Sequence, residues 1–481
     1  MGDEKSASMS RRRVLGGAAA LAGAGALTGM QAFGAPHPRR RRSLGSHTDF
    51  NVIVIGGGFA GLTAARDLSK NGLSTLVLEA KGRLGGRTFD TQFRDHHIEL
   101  GGAWVHWAQP AVWSEIQRYG LEIEQMPAAL PDQISLLTDQ GRTTFGIADH
   151  AVEVVGGMEA YFAESATVWE RPYDTKYCWK EILARDSMSS ADRLKAIELT
   201  PIQRGFLVPM LEAMSNCPAE QSSYVDMLRW CALGMNHWST AMDAADRFKL
   251  AAGTGALVRK IAGDSRAEVR LNSPVQRVEQ RGGVVHVWPR NGKPVSARAV
   301  VVAVPPRLLK SIQFEPALSA GKMAVSRDGF APSGIKLYAE LKGRLGKVQW
   351  LASGAKQTHG YFMTYHEGET STLIAGFCPV AAEVDGNDEE SVQAMLRRFD
   401  PSVEVLGCTS YAWNADPYAQ GTYSGMRPGV MSQHFFELAK TEGRIYMAGS
   451  EYGDASWRGF IDGAIGRGSR IAHEISTELL G

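Results

Sequence analysis

The run Phe50–Ile55 passes without a break into Gly56-Gly57-Gly58-Phe59-Ala60-Gly61, and that junction limits the fold more than any other stretch of the chain. The apolar, mostly β-branched run suits a central parallel strand buried on both faces. Leu62, Ala65 and Leu68 then recur at helical spacing, Asn71-Gly72 supplies a stop, and Thr75–Leu78 forms a second strand ending at Glu79. This is a complete βαβ unit. In Gly56-x-Gly58-x-x-Gly61 the first glycine permits a tight turn, the second lets backbone approach a pyrophosphate, and the third lets the helix, from Phe59 and Ala60 onward, pack closely on the strand. The helix start offers unpaired N–H groups to phosphate. Glu79 is placed for the adenosine ribose hydroxyls, where a carboxylate disfavours a 2′-phosphate. An unliganded glycine turn is the alternative, but the flanking strand, helix and acid argue for a dinucleotide.

The residues ahead of this unit read as a targeting segment. Ser10-Arg11-Arg12-Arg13-Val14-Leu15 precedes an apolar Ala- and Gly-rich stretch from Gly16 to about Met30, with small residues around Ala32 to Ala35. That order matches an export signal of the twin-arginine type over residues 1–35, a route that carries folded, cofactor-loaded proteins to the periplasm. The apolar run is shorter than the ~20 residues of a typical membrane span, so no stable span is expected. Residues 36–48, with Arg39 to Arg42 in a row, read as a solvated linker.

At 481 residues the chain exceeds the usual range of roughly 100 to 200 per domain, so two or three interlocked units are expected. Lys plus Arg number 52 against 51 Asp plus Glu, which gives no general attraction for nucleic acid. Cys178, Cys217, Cys231, Cys378 and Cys408 lack CxxC spacing, and His96-His97, His106, His237 and His359 lack ligand-like spacing, so no metal site is expected. The stretch from Ala111 to Lys249 reads as Trp-rich helices. Strands are expected at Val284–Trp288 and Ala299–Val304, and at Gly334–Leu341, Thr372–Phe377 and Val403–Tyr411 in a second sheet, with an acidic helix near Asp388–Phe399. Arg444–Ala448 is a strand candidate, and Ile461–Leu480 carries helical spacing to the end.

Close behind Glu79 and Ala80 comes Arg83-Leu84-Gly85-Gly86-Arg87-Thr88, which offers further backbone approaches and two phosphate-seeking guanidinium groups. This element, Gly101-Gly102-Ala103-Trp104, Ala303-Val304-Pro305, and Gly449-Ser450-Glu451 through Asp462-Gly463-Ala464 together resemble the flavin-containing monoamine oxidase family over essentially all of residues 49–481. Within it the chain looks most like the bacterial enzymes of nicotine breakdown, around Gly101–Trp107 and Trp413–Tyr423. The resemblance implies FAD held along the first unit. Val275 would offer its backbone to the adenine, Glu451 would meet the ribitol or pyrophosphate side, and Ile461 and Asp462 would face the flavin's pyrimidine edge at a helix start.

It also implies a site. Lys336 lies on an alternating strand, opposite in direction to Ile335 and Leu337. A surface lysine is the plain reading, whereas the family places a water-bridged lysine beside flavin N5 at this match. Tyr423 and Phe460 match an aromatic pair that flanks the amine and aligns its C–H bond. Trp413 and Trp107 match pocket residues, while Met214, Trp230 and Trp238 are candidates from their segment alone. Thr422 stands where mammalian members carry a tethering cysteine, so non-covalent FAD is expected. The Tyr423 and Phe460 pair replaces the tryptophan and asparagine expected of a nicotine-oxidising cage, which argues against nicotine itself.

The expected molecule is therefore an α/β flavoprotein, with a Rossmann-like FAD-binding domain from residues 49–110, 250–330 and 425–481. A mixed-sheet-plus-helices substrate domain would come from 111–249 and 331–424. It would take a hydride from the carbon next to a substrate nitrogen, leaving an imine that hydrolyses to a carbonyl. Pseudooxynicotine leads as substrate, then nicotine, then an aryl-alkyl amine or polyamine. Oxygen or a periplasmic carrier such as a cytochrome would accept the electrons, and the resemblance suggests a homodimer. A flavin carrier or a carbon-chain desaturase would share the glycine motifs but need no aromatic cage.

Overall fold

The strand Phe50–Ile55 sits inside a sheet of eight, paired in parallel with Thr75–Leu78 on one side and Val295–Val302 on the other. The computed structural model describes residues 48–481 apart from 332, 357, 424 and 454–456. The expected export signal, and the linker up to residue 47, lie outside the described residues. Among the described residues no helix is long and apolar enough to cross a membrane.

Val295–Val302 shows how pairing sets burial. Its first half alternates buried and half-buried residues and pairs antiparallel with Val284–Pro289. Its second half, Ala299 to Val302, is buried throughout and pairs in parallel with both Phe50–Ile55 and Ile445–Met447. A parallel segment is covered by helices on both faces, so it tolerates no polar alternation. On one face Phe59–Lys70 and Ile461–Leu480 lie side by side, sharing Ala60, Ala64, Ile471 and Ala472 with the strands. Gly468 permits that crossing, since a Cβ there would stand 2.4 Å from the Ala60 carbonyl oxygen.

The second sheet has seven strands in the order Val405–Ser410, Ile335–Lys342, Ser371–Cys378, Gly360–Glu367, Val348–Ala352, Gln133–Thr138 and Gly141–Phe145. Its two faces follow the alternation expected for Ile335–Lys342. Leu337, Ala339 and Leu341 join a core closed by the helix Glu389–Leu396, while Tyr338 joins the larger core on the other face. There the sheet meets the helices Ala151–Phe162, Pro201–Ser215 and Tyr224–Leu233. The arrangement is α/β, with mixed sheets and helical layers.

One expectation needs correcting: the stretch from Ala111 to Lys249 is not helical throughout. Gln133–Thr138 and Gly141–Phe145 form a hairpin that joins the second sheet parallel to Val348–Ala352, and Ile123–Gln125 pairs with Phe248–Leu250. Four successive buried residues in Gln133–Thr138 hide the period of two that would have marked a strand.

Candidate active site

A cavity of about 560 Å³ runs from the glycine loop to the inner face of the second sheet. Gly56, at φ +109°, turns the chain in a region that other residues enter only under strain. Gly56, Gly58, Phe59 and Ala60 line the cavity. Gly61 does not: a Cβ there would stand 2.0 Å from the Gly56 carbonyl oxygen, so this glycine serves helix-on-strand packing alone. The Glu79 carboxylate accepts the Gly57 N–H at 2.6 Å and the Lys81 N–H at 2.8 Å. Burial pushes its pKa up, and those two donors pull it back. Across the floor Gly85 donates to the Gly57 carbonyl at 2.9 Å, and a Cβ on Gly86 would lie 3.2 Å from Gly58 Cα. Both glycine loops therefore present bare backbone to the same space.

The two arginines of the second loop part company. Arg87 lines the cavity and pairs with Glu451 at 2.5 Å. Arg83 does not line it, which corrects the expectation of two phosphate-seeking groups. Its guanidinium donates to the carbonyls of Leu84, Gly86 and Thr88 and covers the Phe89 ring at 4.2 Å, so its donors hold the loop. Ala80, Gly102, Ala103, Trp104, Val275 and Ile461 also face the cavity. Asp462 faces away, accepting the N–H groups of Ala111, Val112 and Trp457, and so caps the helix Pro110–Tyr119.

Lys336 is buried in the cavity wall. Its Nζ donates to the Gly101 carbonyl at 3.1 Å and lies 4.5 Å from the Trp104 ring centre. Burial pulls its pKa down, against the pull of the Glu99 carboxylate. Glu99 is in turn pushed up by burial, although it accepts Thr254 N–H at 2.5 Å and Thr254 Oγ1 at 2.8 Å. The hydroxyl of Tyr338, two residues along the strand, donates to the Glu99 carbonyl.

Aromatic rings close the rest. Tyr423 and Phe460 both line the cavity, with Phe377 6.4 Å from Tyr423 and Trp230 4.7 Å from Phe460 between ring centres. Burial raises the Tyr423 phenol, so it stays neutral. Met214 and Trp413 line the cavity too. Trp413 donates to the Leu100 carbonyl, and Asp416 of the same turn holds Lys81, the Tyr411 hydroxyl and the Tyr418 N–H. Trp107 is a correction: it is 50% exposed, outside the cavity, and packs against His106 and Phe248. Trp238 also packs outside the cavity, where it begins the helix Trp238–Asp246.

Several lining residues carried no sequence signal. Phe377 and Tyr361 join Lys336 only through strand pairing, and Asp246 arrives from a helix distant in sequence. Asp226 pairs with Arg458 in the same wall. Thr422 lines the cavity and accepts from Asn216 at 2.9 Å, and no cysteine is among the lining residues. Bare glycine backbone beside the Glu79 carboxylate, and the buried Trp104 indole N–H without an acceptor among the described residues, fit an extended dinucleotide with a flat ring system.

A family model described as flavin containing amine oxidoreductase matches residues 59–476. The chain is 37% identical to a pseudooxynicotine dehydrogenase of a Pseudomonas species, across 100% of this chain and 98% of that one. It is 33% identical to a nicotine dehydrogenase of Pseudomonas putida, across 98% of each. Among solved structures, a putrescine oxidase bound to putrescine superposes with a TM-score of 0.75 at 21% identity, covering 89% of this chain and 99% of that one. Cyclohexylamine oxidase from Brevibacterium oxydans gives a TM-score of 0.75 at 20% identity, covering 90% and 100%. These two likenesses concern the fold.

Proposed function

The chain belongs to the flavin-containing amine oxidoreductase family, and from that premise we propose that it oxidises pseudooxynicotine, a secondary methylamine carrying a pyridyl ketone. When bound, FAD supplies the hydride acceptor for the carbon next to nitrogen, and the resulting imine hydrolyses to a carbonyl, here an aldehyde with release of methylamine. The glycine loops and the start of Phe59–Lys70 receive the pyrophosphate, Glu79 the ribose, and Arg87 with Glu451 the region between. With Thr422 and no cysteine in the wall, FAD is held non-covalently. The first sheet and its helices form the FAD-binding domain, the second sheet and its helices the substrate domain.

The observation that carries the reading is Lys336, buried beside Trp104 and Phe377 in the wall of a cavity that Tyr423 and Phe460 also line. An apolar aromatic enclosure desolvates an ammonium and so favours the neutral amine, whose lone pair assists loss of hydride. Lys336 positions a water or oxygen molecule on that wall, and no protein acid or base need act at the reacting carbon or its nitrogen. A carbon-chain desaturase or a carrier has no use for this cage. The whole-length identity with the pseudooxynicotine dehydrogenase supports the substrate, and the nicotine dehydrogenase supports nicotine as the second.

The basic and apolar leader supports export to the periplasm, and the dehydrogenase names of both relatives support a periplasmic carrier such as a cytochrome over oxygen as acceptor. A homodimer is the expected assembly. Anaerobic bleaching of the flavin by pseudooxynicotine, nicotine, a polyamine and an aryl-alkyl amine tests the substrate. Pseudooxynicotine should bleach fastest, and a slow return of colour in air would speak for the carrier. No bleaching by any amine would overturn the reading.

A further inference from the structure

The row of side chains that begins at Lys336 continues across the sheet. Lys336 stands directly opposite Phe377, and Phe377 directly opposite Tyr361, on three adjacent strands. All three line the cavity. With strands ~4.8 Å apart, two steps place the Tyr361 backbone about 10 Å from that of Lys336. The middle of the row is apolar, since Phe377 packs between Trp104, at 5.6 Å, and Tyr423, at 6.4 Å between ring centres.

The far end is polar. There the last residue of the helix Trp238–Asp246 brings its carboxyl into the cavity wall beside the Tyr361 hydroxyl. Tyr361 is only 5% exposed, yet among the described residues its hydroxyl has no hydrogen bond of good geometry, Asp246 being the polar side chain beside it. Asp246 faces the cavity with the Tyr361 hydroxyl beside it. The neighbouring Arg247 turns to Asp243 at 2.8 Å, and among the described residues no cation offsets the Asp246 charge. Burial, with Asp243 adding to it, pushes the Asp246 carboxyl up to about 7.

A carboxyl left without a cation in the cavity wall and a buried hydroxyl that has only that carboxyl beside it are costly, so a further partner is expected from whatever fills the cavity. Near neutral pH this carboxyl can donate or accept. A basic nitrogen satisfies it in either state, accepting from the acid when neutral and donating to the carboxylate when protonated. A ketone or an ether satisfies only one.

We propose that Asp246, together with the Tyr361 hydroxyl, is a recognition site for a second basic nitrogen on the substrate, held at the opposite end of the row from Lys336. The ligand class is an amine with an apolar or aromatic middle and a ring or amino nitrogen at its far end. This rests on the amine-oxidising reading of the cavity but not on which amine is natural.

The test compares a 3-pyridyl ketone methylamine with its phenyl counterpart, which keeps shape and loses only the ring nitrogen. FAD-loaded protein should favour the pyridyl amine at least tenfold in kcat/KM, through KM. In Asp246→Leu that ratio falls to within about twofold of one. Asp246→Asn, which keeps size and a donor, retains part of it, and Tyr361→Phe lowers it severalfold without disturbing the fold. Calorimetric titration of 1-(3-pyridyl)butan-1-one against 1-phenylbutan-1-one, which lack the reacting amine, should show the same preference and the same losses. An undiminished pyridyl preference in the Asp246→Asn and Tyr361→Phe variants, or equal binding of the two ketones to the unaltered protein, overturns the proposal. If neither amine were turned over, the amine-oxidising reading would fall, while the ketone titration would still decide this one.

Discussion

Lys336 Nζ donates to the Gly101 carbonyl oxygen at 3.1 Å, across 235 positions of sequence. The contact joins the strand Ile335–Lys342 of the second sheet to the turn that precedes Trp104, so the amine is fixed in the wall rather than free to swing. Lys336→Met keeps the length and removes the charge and the donor. Turnover should fall on the order of 10²-fold, the usual loss for one pre-organised donor, with FAD content unchanged. Stopped-flow measurement of flavin reduction and reoxidation in turn would show which half-reaction carries the loss; unchanged rates in both would remove Lys336 from the mechanism.

Glu79 holds two backbone N–H groups of the cradle as well as facing the cavity. Glu79→Ala leaves the buried Gly57 N–H without its acceptor, at about 1–3 kcal/mol, frees the part-buried Lys81 N–H, and removes the ribose partner. The purified variant should carry well under one FAD per chain, read from the ratio of absorbance at flavin and protein wavelengths. Full flavin occupancy would contradict this role.

Arg66 on the first helix makes a two-point pair with Glu115 on the helix Pro110–Tyr119, at 2.5 and 2.9 Å, with side chains 1% and 3% exposed. Glu115→Ala strands a buried guanidinium and should destabilise the fold by about 3 kcal/mol. Chemical denaturation with flavin fluorescence as the probe would read it, and a change under 1 kcal/mol would mean that Asp67 and Tyr119, which also hold Arg66, suffice.

His359 lies 2.7 Å from Glu212, whose hydrogen bond and then charge lift its pKa to about 9. A pKa raised on folding stabilises fully below the unfolded value of about 6.5, and that stabilisation is lost as pH climbs through 9. After solvent screening it should be worth on the order of 2 kcal/mol. Denaturation midpoints should therefore fall between pH 6 and pH 9.5, and Glu212→Gln should flatten that part of the profile. A midpoint in Glu212→Gln that falls as steeply would point to another group.

What the sequence determined by itself is the part whose chemistry is local. The run into Gly56–Gly61 and the acid at Glu79 need only a strand, a turn and a helix, each dictated by neighbouring residues, and the structure shows that cradle at the cavity. The alternation around Lys336 likewise placed it on the face opposite Leu337. Its burial and its partners were not legible, because they come from residues near 100 and 377 that meet it only when the second sheet closes. Arg83 and Trp107 show the limit from the other side: guanidinium and indole are suited to phosphate and to a stacking ring, yet nearby carbonyls take the first, and the second packs half exposed on His106 and Phe248. The pairing of Asp246 with Tyr361 belongs to tertiary structure alone. The two lie more than a hundred residues apart, and only a helix end docked against the start of a central strand, two strands from Lys336, brings them together, since long-range packing, not local pattern, decides which polar groups share a cavity wall.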